Sequence, residues 1–439
     1  MRHIGIISTP VPGHLNPMIA LGRELHERGY AVTFFNMEDL RSTIEQEGLA
    51  FSPLGLSSHP AGTLTGTKSR LGALSGFAAI RYTLRAVHGT TEMICRDAPA
   101  AIRAAQIDVL VVDQMEPAGA SVAQYLGIPF VTVANALLLN REPSVPPALS
   151  PWRYRADFIG RTRNRVGYLV GDILFRPILG ELNQYRRAWK LPHISCDEET
   201  FSPLAQISQL APEFDFPRSR LPACFHFTGP LRKPGARRVD FPWHRLNGKR
   251  LVYASLGTLQ GQKVHVFELI AAACRDLDVQ LVITHGGGLS AKQEKEFSGH
   301  PLVVPFAPQL DVLKRAALTV THAGLNTVLD SFSCGVPVVA IPITFEQPAI
   351  AERVRWSGGG EVAPLRGLTA EKLREVIRFV LESPSHRASA RRMQASIEKA
   401  GGVRLAADIV ATLSATPLAP SKAARDREER VELVNGTSR

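Results

Sequence analysis

Three stretches of the chain carry residues suited to chemistry. The first is Pro10-Val11-Pro12-Gly13-His14-Leu15-Asn16-Pro17, which follows a short apolar run from His3 to Ser8. A histidine just beyond such a run can act as a general base near neutral pH, or it can merely cap the helix that follows. Asp113 closes a second apolar run, Asp108 to Asp113. It can accept a hydrogen bond from an imidazole, fix its tautomer and raise its basicity, or serve as a turn residue ahead of Pro117. The third stretch runs from Phe306 to Gln347 and is the richest. His322 ends the strand-like Leu318 to His322, Gly324 permits a tight turn, and a helix is expected to begin near Asn326 and Thr327. A helix start behind a glycine is an anion site, because its free N–H groups and its dipole point outward. His322 offers a further donor to the same phosphates. Asp330 lies three residues past Thr327, on the same helical face, and suits the two hydroxyls of a ribose. Glu346 and Gln347 offer paired acceptors and a donor to a sugar. Phe306, with Ala307, Pro308 and Gln309 behind it, offers an aromatic face and backbone groups to a base. In chain order these are base, phosphate, ribose and sugar: the parts of a nucleotide sugar. Ser255 and Thr258, with Gly257 between them, bring hydroxyls and backbone within reach of a diphosphate.

These residues need a scaffold that places them at one edge. Strand and helix alternate over the first 135 residues and again from Leu251 onward. The first βαβ unit is read as strand His3–Ser8, a turn-rich Thr9–Pro17, and a helix from Met18 to Gly29. Such units give parallel strands, and ligands of open α/β sheets sit beyond the carboxyl ends of the strands. Two doubly wound, Rossmann-like units facing each other across a cleft are therefore expected. The units span 1–230 and 246–416, with a linker over 231–245 and a charged tail over 417–439 that is expected to be mobile. The alternation fades from Arg141 to about Pro217, where a helical, loop-rich elaboration is expected. Helices over Ala370–Ser383 and Ser385–Thr412 are expected to complete the second unit.

The chain has 439 residues, of which 45% are hydrophobic and 21% charged, which excludes wholesale disorder. No run of 18 apolar residues marks a membrane span, and the first ten residues do not form a signal peptide. The five cysteines are scattered, which speaks against a disulfide framework or a cysteine-ligated zinc and for a reducing cytoplasm. The net charge is +11. Between Trp152 and Lys190 nine basic side chains face three acidic ones, with Trp152, Tyr154 and Tyr168 interleaved. This stretch is either a solvated helical face or a contact for an anionic membrane. No nucleic-acid-binding pattern accompanies it. The loop after the first strand holds one glycine where a dinucleotide site wants G-x-G-x-x-G. Asp276-Leu277-Asp278 precedes a strand instead of following one, so this D-x-D is read as a solvated turn. His285, in Thr284–Gly288, is read as a surface residue.

The third stretch resembles the donor signature of the inverting family 1 glycosyltransferases, the UDP-glycosyltransferases of GT-B fold. In that signature W-x-P-Q is followed by H-C-G-W-N-S-x-x-E and later by D/E-Q. The matches here are Phe306-Ala307-Pro308-Gln309, then His322-Ala323-Gly324-Leu325-Asn326-Thr327 with Asp330, then Glu346-Gln347. The chain is most similar to the bacterial branch of zeaxanthin and macrolide-type glycosyltransferases. The resemblance covers roughly residues 1–412. Phe306 and Leu325 stand where plant members carry tryptophan, and Asp330 is shorter than the usual glutamate. The resemblance implies that His14 is the catalytic base, that Asp113 is its partner, and that the first unit binds the acceptor. It also implies a UDP-sugar donor, with glucose favoured by Glu346-Gln347. It supports Thr258 over Ser255 as a diphosphate contact. No metal or other cofactor is expected, since a helix N-terminus can meet the charge of the leaving UDP. Leu71, Leu74, Phe77 and Leu137 to Leu139 point to a large apolar acceptor bearing a hydroxyl. A nucleotide-sugar epimerase of the same fold and a non-catalytic sugar-nucleotide-binding protein are the alternatives.

Overall fold

The computed structural model describes residues 2–74, 76–233 and 239–415. The proposed tail over 417–439 and part of the linker lie outside the described residues. The first unit begins β1 (His3–Ile7), α1 (Pro12–Glu27), β2 (Ala31–Met37), α2 (Arg41–Glu45) and β3 (Ala50–Leu54). It continues α3 (Thr63–Ala73), α4 (Gly76–Ala104), β4 (Val109–Asp113), α5 (Pro117–Leu126) and β5 (Phe130–Ala134). It closes with α6 (Phe158–Ala188), β6 (Gln206–Ser208) and β7 (Phe225–Phe227). The second unit begins β8 (Arg250–Ser255), α7 (Val264–Arg275), β9 (Val279–Thr284) and β10 (Leu302–Val304). Next come α8 (Gln309–Leu313), β11 (Ala316–Thr321), α9 (Leu325–Ser333), β12 (Val338–Ala340), α10 (Gln347–Trp356) and β13 (Gly360–Val362). Three helices follow: α11 (Ala370–Glu382), α12 (Pro384–Lys399) and α13 (Gly402–Ala415).

The strands form two parallel sheets, ordered β3-β2-β1-β4-β5-β6-β7 and β10-β9-β8-β11-β12-β13. Each order reverses once, between β1 and β4 in the first sheet and between β8 and β11 in the second. Ligands of such sheets bind at these reversals. The register sets the neighbours there: Ile7 pairs with Val112, and Ser255 with Thr321. The residues just past these pairs are the His14 loop, Asp113, Gly257 and His322. The strands are apolar on both faces because helices cover both. At Gly5 of β1 a Cβ would lie 2.7 Å from a Leu110 methyl, so only glycine lets β1 and β4 approach.

Four features differ from the sequence reading. Helix α1 starts at Pro12, six residues before the expected Met18, because proline fits the first helical position and costs no hydrogen bond there. The region after Arg141 contains two three-residue strands, β6 and β7, which extend the first sheet. The expected Ser385–Thr412 helix is two helices, broken where Gly401 and Gly402 take positive φ of 87° and 58°. Helix α13 then crosses back, and Val403, Ala406, Ala407 and Val410 join the core of the first unit against α1. Finally, Leu137 and Leu138 are not open to an acceptor. They lie in an apolar layer shared by the two units, with Leu210, Phe214, Leu325 and Phe332. The side chain of Phe77 lies outside the described residues.

Candidate active site

His14 lies in the first turn of α1, and its Nδ1 is 2.8 Å from Oδ2 of Asp113, which is fully buried. The carboxylate can only accept, so Nδ1 carries the hydrogen and Nε2 keeps a free lone pair. Asp113 takes two further donors: Asn135 Nδ2 donates to Oδ2 at 2.8 Å and the Met115 amide to Oδ1 at 3.0 Å. Burial pulls the His14 pKa down, but the charge and hydrogen bond of Asp113 outweigh it. With Glu346 adding to the field, the pKa stands above its ordinary 6.5. The sequence left two readings for each residue; the geometry makes them one pair.

Glu116, three residues past Asp113, went unnoticed in the sequence. It is 1% exposed and accepts from Thr90 Oγ1 at 3.3 Å. Burial, then the charge of Asp113, push its pKa up to about 8. A second acid beside an acid that ends a strand was the available signal. Such a carboxyl stays protonated in the fold across the window from about 4.5 to about 8, where the unfolded chain ionises it. Stability therefore falls as pH rises through that window. Glu116→Gln is expected to raise the melting temperature by several degrees at pH 8 and to leave it nearly unchanged at pH 4.5. Equal melting shifts at both pH values would rule this out.

In the second unit, Ala323 adopts a left-handed conformation with φ of 64° just before α9. The tight turn expected at Gly324 is therefore made one residue earlier. Gly324 serves differently: a Cβ there would sit 2.5 Å from the His322 ring, and one at Gly257 would sit 2.9 Å from it. The imidazole is wedged between these two glycines, and burial lowers its pKa to about 4. It is neutral near pH 7, so it can donate one hydrogen bond but brings no charge to a phosphate. Leu325, Asn326 and Thr327 form the first turn of α9. Leu325 is buried, so only its backbone is available. Ser255 is buried, whereas Thr258 is exposed. Phe306 follows β10 with half its surface exposed, an open aromatic face. Ala307, half-buried, packs against a small apolar cluster.

The Gln309 side chain is taken up within the protein. Its Nε2 donates to Asp330 Oδ2 at 2.7 Å, and Tyr253 Oη donates to its Oε1 at 3.1 Å. It orients the acid one turn into α9. Gln347 departs from expectation. Its Oε1 accepts the Ile343 and Thr344 amides, both at 2.9 Å, which rigidifies the loop but leaves only an amide donor for a sugar. Glu346 stays partly open at the N-cap of α10, close enough to His14 to affect its charge. His285 is buried, with Nδ1 accepting from Leu289 N and Nε2 paired with Glu294, so it is structural instead of a surface residue. Asp276 and Asp278 pair with Arg275, Arg374 and Lys249 at the turn before β9.

A further contact joins the halves beside His14. Pro17 has no N–H, so the Gly13 carbonyl four residues earlier lacks its helical partner. Asn326 Nδ2 of the other unit donates to it at 2.7 Å. The start of the donor helix α9 is thus joined to the residue next to His14.

Two Rossmann-like units meeting this way across a cleft have the architecture of the GT-B fold. The calicheamicin glycosyltransferase CalG4 has the same fold, with a TM-score of 0.73 at 21% identity, covering 94% of this chain and 98% of that one. The family model described as UDP-glucoronosyl and UDP-glucosyl transferase matches residues 67–400. That of the glycosyltransferase family 28 N-terminal domain matches residues 12–112. The chain belongs to the first of these families and is a UDP-dependent glycosyltransferase. It is 38% identical to the zeaxanthin glucosyltransferase of Pantoea ananas, over 95% of this chain and 97% of that protein. It is 34% identical to the zeaxanthin glucosyltransferase of Pseudescherichia vulneris, over 93% and 97%.

Proposed function

We propose that the protein transfers glucose from UDP-glucose, with inversion, to a hydroxyl of a large apolar natural product such as a carotenoid. The observation that carries this reading is the 2.8 Å His14–Asp113 pair set one residue from the Asn326–Gly13 contact. His14 Nε2 takes the proton of the acceptor hydroxyl. The oxygen attacks the anomeric carbon, the bond from that carbon to the β-phosphate oxygen breaks, and UDP leaves toward the N-terminus of α9. Attack opposite the leaving group turns an α-linked donor into a β-glycoside. Asp330 takes the ribose hydroxyls, Phe306 the base face, Thr258, Gly257 and Asn326 the diphosphate, and Glu346 with the Gln347 amide the sugar. Glucose and a carotenoid follow the names of the two relatives, which are zeaxanthin glucosyltransferases. No metal enters the scheme.

The test is UDP release from UDP-glucose with and without carotenoid diols, macrolides and sterols. Acceptor-dependent release that is unchanged in EDTA is expected. Conversion of the sugar nucleotide without any acceptor would instead indicate an epimerase. UDP binding with no turnover on any acceptor would indicate a binding protein.

The reading includes a bilayer as partner. Among the described residues no helix is long and apolar enough to cross a membrane. The interleaved aromatics of the basic stretch turn inward: Trp152 lies under Arg163, and Tyr154 packs on Phe216 and Trp356. The outer face of α6 instead exposes Phe158, Ile159, Val166, Leu169, Val170 and Ile173. Arg161, Arg165 and Arg176, also exposed, flank this stripe. Apolar side chains between cations complement an anionic lipid surface. Each arginine adds about 1 kcal/mol at such a surface. The pair Arg161→Glu and Arg165→Glu is therefore expected to weaken binding to phosphatidylglycerol vesicles at least tenfold. Failure of the wild type to sediment with such vesicles would remove the membrane from the scheme. Five free cysteines fit a cytoplasmic location on the inner face.

A further inference from the structure

His322, the histidine of the donor signature, is neutral near pH 7, and the formal positive charge beside Asp330 belongs to a residue outside that signature. Arg232, where the chain leaves the first unit, spreads its guanidinium over three side chains. Nε donates to Asp330 Oδ1 at 2.6 Å, Nη2 to Asn326 Oδ1 at 3.0 Å, and Nη1 to Gln209 Oε1 at 2.9 Å. Gln209 is fully buried, and its Nε2 donates to Asn135 Oδ1 at 3.1 Å. Asn135, 2% exposed, donates through Nδ2 to Asp113 Oδ2 at 2.8 Å, the oxygen that holds His14.

The chemistry of the two ends fixes the direction of every link. A guanidinium can only donate and a carboxylate can only accept. The Leu231 amide also donates to Gln209 Oε1 at 3.2 Å. Neither amide side chain can therefore be turned round without placing donor against donor. Buried chains of this kind hold their members in one arrangement and polarise along their length. The chain runs from the acid of the donor helix, through the linker, to the partner of the base.

We propose that Arg232 is a positioning residue of the transfer reaction, joining Asp330 and Asn326 to the His14–Asp113 pair through Gln209 and Asn135. The proposal rests on the reading of His14 as base and Asp330 as ribose acid. With the fork in place, the donor residues and the carboxylate that orients the base form one unit. Loss of the fork frees Asn135 to loosen its hold on Asp113. The carboxylate then holds the protonated imidazole more strongly, and the nearby positive charge is gone. Both effects favour the charged imidazole, as do the facing carboxylates of Asp113 and Glu346, while Glu116 is uncharged below about pH 8.

The experiment compares wild type, Arg232→Gln and Gln209→Leu at a temperature where thermal melts show each to be folded. Acceptor-dependent UDP release gives kcat and the KM for UDP-glucose from pH 5 to 9, and calorimetry gives the affinity for UDP. Arg232→Gln is expected to raise the donor KM about tenfold, the size of a lost charged hydrogen bond. It is also expected to move the acid limb of the kcat profile about half a unit to higher pH. Gln209→Leu is expected to move the limb the same way while KM stays within about threefold, since it touches no donor residue. A raised KM with both limbs unmoved would reduce Arg232 to a donor contact and overturn the proposal, as would two variants that behave as wild type. No acceptor-dependent release from the wild type would overturn the parent reading instead.

Discussion

Replacing His14 by alanine is expected to lower kcat about a thousandfold, within the range that a positioned general base contributes. The affinity for UDP is expected to stay within about twofold, because the link between His14 and the donor half is main-chain. The Gly13 carbonyl, which the substitution leaves in place, makes the 2.7 Å contact with Asn326. A helix-capping role for His14 would give a different pattern: a lower melting temperature and little change in kcat. Steady-state kinetics with calorimetry on the same preparation separates the two. An alanine variant that keeps a tenth or more of the wild-type kcat would end the assignment of His14 as base.

Asp113→Asn tests the other half of the pair and carries a sign. The proton acceptor must be neutral, so kcat climbs with pH through the His14 pKa. In the wild type that pKa is raised, burial being outweighed by Asp113. Removing the negative charge lets burial dominate, and the acid limb moves to lower pH. The plateau is expected to fall by about a hundredfold or more, since an amide no longer stabilises the imidazolium or selects the Nδ1–H tautomer. The amide is also expected to cost stability: Asn135 Nδ2 now donates to Oδ2, and an amide nitrogen placed there would meet it donor to donor. A profile that keeps its wild-type limb would show that the field of Asp113 does not set the base. The direction is opposite to the one expected for Arg232→Gln, so the two variants check each other.

The candidate site was legible in the sequence where a residue's place along its own strand or helix is what matters. His14, Asp113, His322 and Glu346 each stand just past an apolar run, and such positions reach the carboxyl edge of a parallel sheet whatever else the chain does. Residues whose meaning lies in a distant partner stayed hidden. Gln309 reads as part of a loop for a base until Asp330, 21 residues on, is seen to hold its amide. Asn135 and Gln209 look like ordinary polar ends of runs, yet they connect residues 74 apart. Strands β6 and β7 are three residues each, too short for any period to register. Helix α13 carries an amphipathic pattern that states that one face is buried, without stating against what.

By itself, then, the sequence determined the alternation of strand and helix in both units apart from the short β6 and β7 and the break before α13, the parallel direction of both sheets, and which side chains end up at the strand termini. Hydrophobic periodicity and glycine or proline punctuation act over a few residues, and they suffice for that. Only the tertiary structure decided which termini face each other and which polar groups pair. Pro17 shows the division. Its missing N–H, written in the sequence, leaves the Gly13 carbonyl without a helical partner. That the partner is Asn326, 313 residues away on the other unit, follows from how the two cores pack together. A hydrogen bond is chosen by proximity after folding, and proximity across a cleft has no periodic signal in the chain.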